Sequence, residues 1–220
     1  MEMFSSSDPI FEFRGPFGVP VQIAPSIFML VFIYVSFNGS PQSIFYDLVF
    51  LILLVGSIFL HEVGHAWGCI VQKIPVRRIM MHGGGGFCER ARSASRYEDE
   101  LIVAMGPIVN LFIWAIASLA LPFVQNEILY WVIDVLAYIN IFLALLNLMP
   151  VMPLDGGKLF HLLLMRFMHH GTATVISGTV GLIVAVLWIP MMLFSYVSFG
   201  LVLFFFPSII LHWQMLRRLA

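Results

Sequence analysis

Six stretches of this chain are apolar over about the length that crosses a hydrocarbon core: Val21 to Phe37, Leu48 to Ile70, Leu101 to Pro122, Ile128 to Met149, Thr172 to Ile189 and Phe194 to His212. Runs of this length read as transmembrane helices. The composition agrees, with 60% hydrophobic and 10% charged residues and a mean hydropathy of +0.97, where a soluble domain carries about 25% charged residues. The expected fold class is an all-α polytopic membrane protein of about six transmembrane helices. The longest loop, Val71 to Glu100, and the connection over 155–171 are too short for a second domain, so residues 1–220 are expected to form one integral-membrane domain.

Orientation follows from the basic residues, because Lys and Arg flanking a span stay on the cytoplasmic side. With six spans and the N-terminus inside, the inside segments hold all 11 basic residues and the outside turns hold none. The expected location is a cell membrane, crossed several times, with both termini cytoplasmic. The opening residues MEMFSSSDPIFEFRG lack the basic stretch and apolar core of a cleavable leader, so the first span is expected to be retained. Cys69 and Cys88 form no CxxC pair and fall toward the reducing side, where free thiols are expected. No basic stripe interleaved with aromatics points to nucleic acid.

Within the second run, GSIFLHEVGHAWGC places His61, Glu62 and His65 in apolar sequence. Four residues apart on a helix, the two histidines project from one face and can hold one ion between them, with Glu62 beside them. Neutral imidazoles suit Zn²⁺, and a catalytic zinc site uses three protein ligands and a water made acidic by the metal. Glu62 is then the base that takes the proton from that water and passes it to a leaving amine. The alternative is a group of buried residues satisfied by neighbouring helices. In hydrocarbon that alternative weakens, because each ionisable group costs roughly 2.5 kcal/mol or more and is retained for a task.

A third ligand must come from elsewhere, and of the acidic residues beyond the motif (Glu89, Glu98, Asp99, Glu100, Glu127, Asp134 and Asp155) only Asp134 and Asp155 are read as lying in or against a span. The histidines sit roughly 8 to 14 Å from the cytoplasmic end of the second span, whereas Asp134 is roughly 30 Å away near the outer end of the fourth. Depth therefore favours Asp155, at the cytoplasmic end. In NLMPVMPLDGGKLF, Pro150 and Pro153 end the helix while Gly156 and Gly157 permit tight backbone geometry, so the chain can turn inward.

Three motifs in order, HEVGH, AMGPIVNL and NLMPVMPLDGG, resemble the site-2 proteases, zinc-dependent proteases that cut substrates within the membrane. The resemblance covers roughly Leu48 to Phe160, with a catalytic core in the second to fourth spans. It implies His61, His65 and Asp155 as ligands of one Zn²⁺ per chain, Glu62 as the catalytic base, and Asn147 in substrate handling. It also implies transmembrane proteins as substrates, the lipid bilayer as surroundings, and regulatory membrane partners. Neither a PDZ module within the core nor a CBS domain after it is expected.

Asn140 and Asn147, seven apart on nearly one helix face, can donate to a substrate backbone or an oxyanion; equally they can be interhelical glue. Gly106, Pro107 and Asn110 read as close helix packing in the third span. The alternating stretch IPVRRIMM suggests a short β element at the membrane surface, followed by a glycine run that serves either substrate or flexibility. His82 reads as incidental. Two rivals remain: a membrane zincin with a downstream glutamate ligand, for which no glutamate after Glu62 lies in a span, and a metal transporter or channel using the same cluster. Transporters often show two related halves with broken helices, and this chain has one HExxH and one proline break.

Overall fold

The computed structural model describes residues 8–199 and 206–217. The chain divides into two units, Met1–Ala144 and Leu145–Ala220. The first contains strands β1 (Phe11–Arg14) and β2 (Pro20–Ile23), helices α1 (Met29–Tyr34) and α2 (Pro41–Val71), strands β3 (Val76–His82) and β4 (Gly85–Arg90), helix α3 (Arg96–Ala120) and most of α4 (Glu127–Asn147). The second contains the end of α4, α5 (Asp155–Phe167), α6 (His170–Phe199) and α7 (Ile209–Arg217).

Among the described residues, four helices are long and apolar enough to cross a membrane: Pro41–Val71, Arg96–Phe123, Glu127–Asn147 and His170–Phe194. They coincide with the second to fifth expected spans. The first expected span is corrected by the structure. Val21 and Ile23 lie in β2, and only Pro25–Tyr34 is an apolar helix, roughly 15 Å long at 1.5 Å per residue, half a hydrocarbon core. Pro20 and Pro25 bracket the strand and deny it helical continuity. The segment nevertheless runs along α2: the Ala24 N–H donates to the Met81 carbonyl beside the sheet, and the Ser36 N–H donates to Asp47 Oδ2 at 2.9 Å. The sixth expected span includes residues 200–205, outside the described residues, as are residues 1–7, on which the leader reading partly rests; its described end forms the nine-residue α7.

The β element expected at IPVRRIMM is β3, the third strand of a four-stranded sheet ordered β1-β2-β3-β4. β2 and β3 run parallel, with Val21 opposite Ile79; the two outer pairs are antiparallel. Val19, Val21, Ile79 and Met81 turn toward α2, burying against Ala66, Val63 and Phe59. The β3–β4 hairpin is clasped by Arg78, whose Nε donates to Glu89 Oε2 at 2.7 Å. That guanidinium, with Arg77 behind it, holds the Glu89 carboxyl below the usual carboxylate range.

Helix α2 starts at Ser40, whose hydroxyl accepts from the Ser43 N–H, with Pro41 at the first helical position. Two of its glycines, Gly64 and Gly68, let the α3 backbone approach. A Cβ at Gly64 would lie 2.6 Å from the Met105 carbonyl oxygen, and one at Gly68 would lie 2.9 Å from Ile102 Cα. Small residues four apart are the usual device for such contact between membrane helices. Gly56, on the same helix, faces open space.

The two glycines should therefore respond oppositely to alanine. Gly64→Ala meets backbone rather than a yielding side chain and is expected to cost about 1–3 kcal/mol, whereas Gly56→Ala should be neutral or stabilise by up to about 1 kcal/mol. Thermal unfolding of the two variants in detergent, followed by helical circular dichroism, measures the difference.

Candidate metal centre

His61, Glu62 and His65 come together at the contact between α2 and α3, all buried, with one potential ligand atom from each within 4.8 Å of the others. The two imidazole Nε2 atoms are 3.1 Å apart. Their protonation follows from the partners on the far side of each ring. His65 Nδ1 lies 2.8 Å from the Ile102 carbonyl oxygen; a carbonyl only accepts, so Nδ1 carries the proton. His61 Nδ1 lies 2.6 Å from Asn110 Oδ1. The Asn110 amide cannot be reversed, because its Nδ2 donates to the Ser57 carbonyl at 3.4 Å and to Asn140 Oδ1 at 2.8 Å. Asn140 is held in turn, its Nδ2 donating to the Leu136 carbonyl and to Ser57 Oγ, each at 2.9 Å.

In their neutral forms both rings thus turn Nε2 lone pairs into one small space, an arrangement that is repulsive until a cation sits between them. A tetrahedral zinc with bonds of about 2.0–2.1 Å holds two nitrogens roughly 3.3 Å apart, close to the observed separation. The floor of this space is Gly106: a Cβ there would lie 2.5 Å from His65 Nε2 and 2.6 Å from His61 Nε2. The donor set, its tautomers and the glycine floor fit zinc.

The sheet supplies a wall. Strand β4 passes Glu62 at Gly86, where a Cβ would lie 2.7 Å from Glu62 Cγ, so only glycine lets the strand edge approach the carboxylate this closely. Gly86 pairs with Met81 across the hairpin, and Gly83 and Gly84 make its turn. His82 stands apart from the metal cluster. Its Nδ1 accepts from the Gly84 N–H at 3.1 Å, and burial pushes its pKa down. Cys69 and Cys88 are free, as expected, and their thiols hydrogen-bond to each other; that bond, with burial, pushes the Cys88 thiol up.

The remaining expected site residues divide between the units. Asn140 is fully buried in the bundle and bonds to α2 and α3. Asp134, also on α4, is exposed. Asn147 is the last residue of α4 and Asp155 the first of α5, in the second unit. Between them residues 148–154 form an irregular loop. Gly156 and Gly157 press the first turn of α5 onto it: a Cβ at Gly157 would lie 2.5 Å from the Val151 carbonyl carbon.

In sequence Asn110 reads as helix packing, yet it is the residue that orients His61. An amide in apolar sequence requires partners, but nothing local to Asn110 names His61, 49 positions away, as the one it holds. Groups that orient a ligating histidine typically contribute about 10–100-fold in metal affinity. Asn110→Leu should weaken zinc binding by that range, whereas Ser57→Ala, which leaves Asn110 its bond to the Ser57 carbonyl, should weaken it by less than about tenfold. Competition titration against a chromogenic chelator reads both.

The chain is similar to known proteins in sequence and in fold. A zinc metalloprotease of Methanocaldococcus jannaschii is 25% identical over 187 residues, 84% of this chain and 54% of its own length. Stage IV sporulation protein FB of Bacillus subtilis is 25% identical over 119 residues, 51% of this chain and 39% of its own. The chain thus spans about half the length, or less, of these curated relatives. Among solved structures, a site-2 protease from Methanocaldococcus jannaschii superposes with a TM-score of 0.59 at 21% identity, covering 94% of this chain and 90% of that one, and so shares the fold. The model of peptidase family M50 matches residues 49–130 and 123–189, a stretch that contains the histidines, Glu62 and the 148–154 loop; the chain belongs to peptidase family M50.

Proposed function

We propose that this chain is a zinc-dependent intramembrane endopeptidase, hydrolysing peptide bonds within or near the transmembrane segments of membrane proteins. The observation that carries the reading is the pair of Nε2 lone pairs converging 3.1 Å apart beside the Glu62 carboxylate, inside helices long enough to cross a membrane. A metal transporter using the same cluster is not favoured by the family match.

His61 and His65 are the metal ligands, and Asp155 is the third, supported by the match of PLDGG to the family pattern and by the tight loop that precedes it. Zinc, when bound there, makes water acidic and polarises a carbonyl. Glu62 receives the proton on its carboxylate and delivers it to the departing amine, so it must titrate without leaving the site; its near-complete burial and the close backbone of Gly86 restrict its movement. The peptide must arrive extended, since a helical backbone shields its carbonyls. Among the described residues strand β4 is an edge of the sheet, passing the base, and an added strand can hydrogen-bond to it. Asn147 is assigned to holding the substrate backbone.

The active face is cytoplasmic and both termini lie on that side. Support comes from the one-sided basic residues and from the pairing of β2 with β3, which keeps the N-terminal strands beside the segment carrying Arg77, Arg78, Arg90 and Arg92.

Removing the base without removing a ligand separates the roles. Glu62→Gln should retain zinc and lose at least about 10²-fold in cleavage of a model transmembrane peptide, whereas His61→Ala, His65→Ala or Asp155→Ala should lose zinc and activity together. Metal analysis beside a peptide-cleavage assay distinguishes the two patterns, and unchanged hydrolysis by Glu62→Gln removes it from the mechanism. A substrate tagged at both ends and reconstituted in oriented vesicles should be cut in the cytoplasmic half of its span; a cut in the outer half inverts the assigned topology.

A further inference from the structure

Helix α7 presents a histidine to the loop that leads to Asp155. His212 is 1% exposed, and its Nε2 accepts a hydrogen bond from the Met152 N–H at 3.0 Å. Four residues earlier, the Ser208 N–H donates to the Met152 carbonyl at 3.3 Å. Both backbone polar groups of Met152, three residues before Asp155, are therefore held by one short segment at the C-terminal end of the chain. Its neighbour Val151 is fully buried, and Gly157 lies directly against Val151 and Met152. A displacement of Met152 consequently reaches the first turn of α5, which begins with Asp155.

The seat of His212 is built for this ring. A Cβ at Gly181 on α6 would overlap the imidazole, and one at Gly178 would lie 2.9 Å from Met215 Cβ. Because Nε2 accepts, the proton of the neutral ring sits on Nδ1, which is buried and has no hydrogen-bond partner among the described residues. A phenylalanine would fill the same notch without that cost, so shape alone does not account for a histidine here. What the imidazole adds is an acceptor for an N–H in irregular, buried backbone.

We infer that His212 is a positioning residue for the metal site: by accepting from the Met152 N–H it fixes the loop that delivers the Asp155 carboxylate. The inference rests on Asp155 being a zinc ligand, as proposed above. His212 touches neither metal nor substrate in this role.

The test uses the full chain in detergent, with zinc affinity measured by chelator competition and folding followed by thermal unfolding. His212→Phe fills the notch but cannot accept, and it is expected to weaken zinc binding about tenfold while remaining helical. His212→Gln offers an amide oxygen to the same N–H and should return affinity to near the wild-type value. Wild-type affinity in His212→Phe overturns the inference, and so does equal weakening in both variants, which would mean that packing rather than the acceptor matters. Asp155→Ala is measured in parallel. If it weakens zinc binding while His212→Phe does not, the positioning role alone falls; if Asp155→Ala binds zinc as the wild type does, the ligand assignment fails and the positioning role with it. Should neither His212 variant fold, hydrogen exchange on the wild-type protein decides: a Met152 amide exchanging as fast as an exposed loop overturns the inference, and protection comparable to helix α6 supports it.

Discussion

Two lone pairs facing each other across 3.1 Å in a buried site are unfavourable by themselves, and much of the first unit is arranged to keep them there. Each proton is held on the far ring nitrogen by an acceptor from α3, so α3 must lie close enough for its Ile102 carbonyl and Asn110 side chain to reach the rings of α2. That distance is possible because Gly64 and Gly68 on one helix and Gly106 on the other have no side chains. A larger residue at any of the three would separate the acceptors from the imidazoles or fill the space between the Nε2 atoms. Leaving a buried donor unmatched costs about 1–3 kcal/mol, so the metal geometry and the helix contact stabilise each other.

The parts of this site that could be read from sequence are those in which one local period carries the chemistry. His61 and His65 share a face because they are four apart, and an ionisable group in an apolar run has few other reasons to be present. The break after Asn147 was legible for a similar reason, since prolines and paired glycines act locally on the backbone. Asn110 was not legible, because its partner lies 49 positions away in sequence and a lone amide in a helix serves packing and orientation equally well. His212 has the same difficulty: at the edge of an apolar run it looks like any interfacial histidine, and only its place beside Met152, 60 positions distant, distinguishes it.

The N-terminal strands expose a different limit. Hydropathy measures how strongly a segment avoids water and says nothing of what covers it. Val21 and Ile23 are as apolar as a lipid-facing helix would need, yet Val21 buries against α2 and both are paired to β3. The two prolines flanking the strand were the available warning, and an apolar run that continues past them outweighed it.

The parallel pairing of β2 with β3 has a consequence for biogenesis. Parallel neighbours require a crossover, and the crossover here includes a 31-residue helix long enough to span the bilayer. The N-terminal hairpin is synthesised first, but one edge of β2 has no partner until that helix has been threaded and the chain has come back to the sheet. The strand that brings Gly86 to Glu62 is thus part of a sheet whose first hairpin precedes the spanning helix and whose second follows it. One sheet is in this sense assembled from both sides of a spanning segment, so the wall beside the base and the helix that carries the base are tied by chain order as well as by contact.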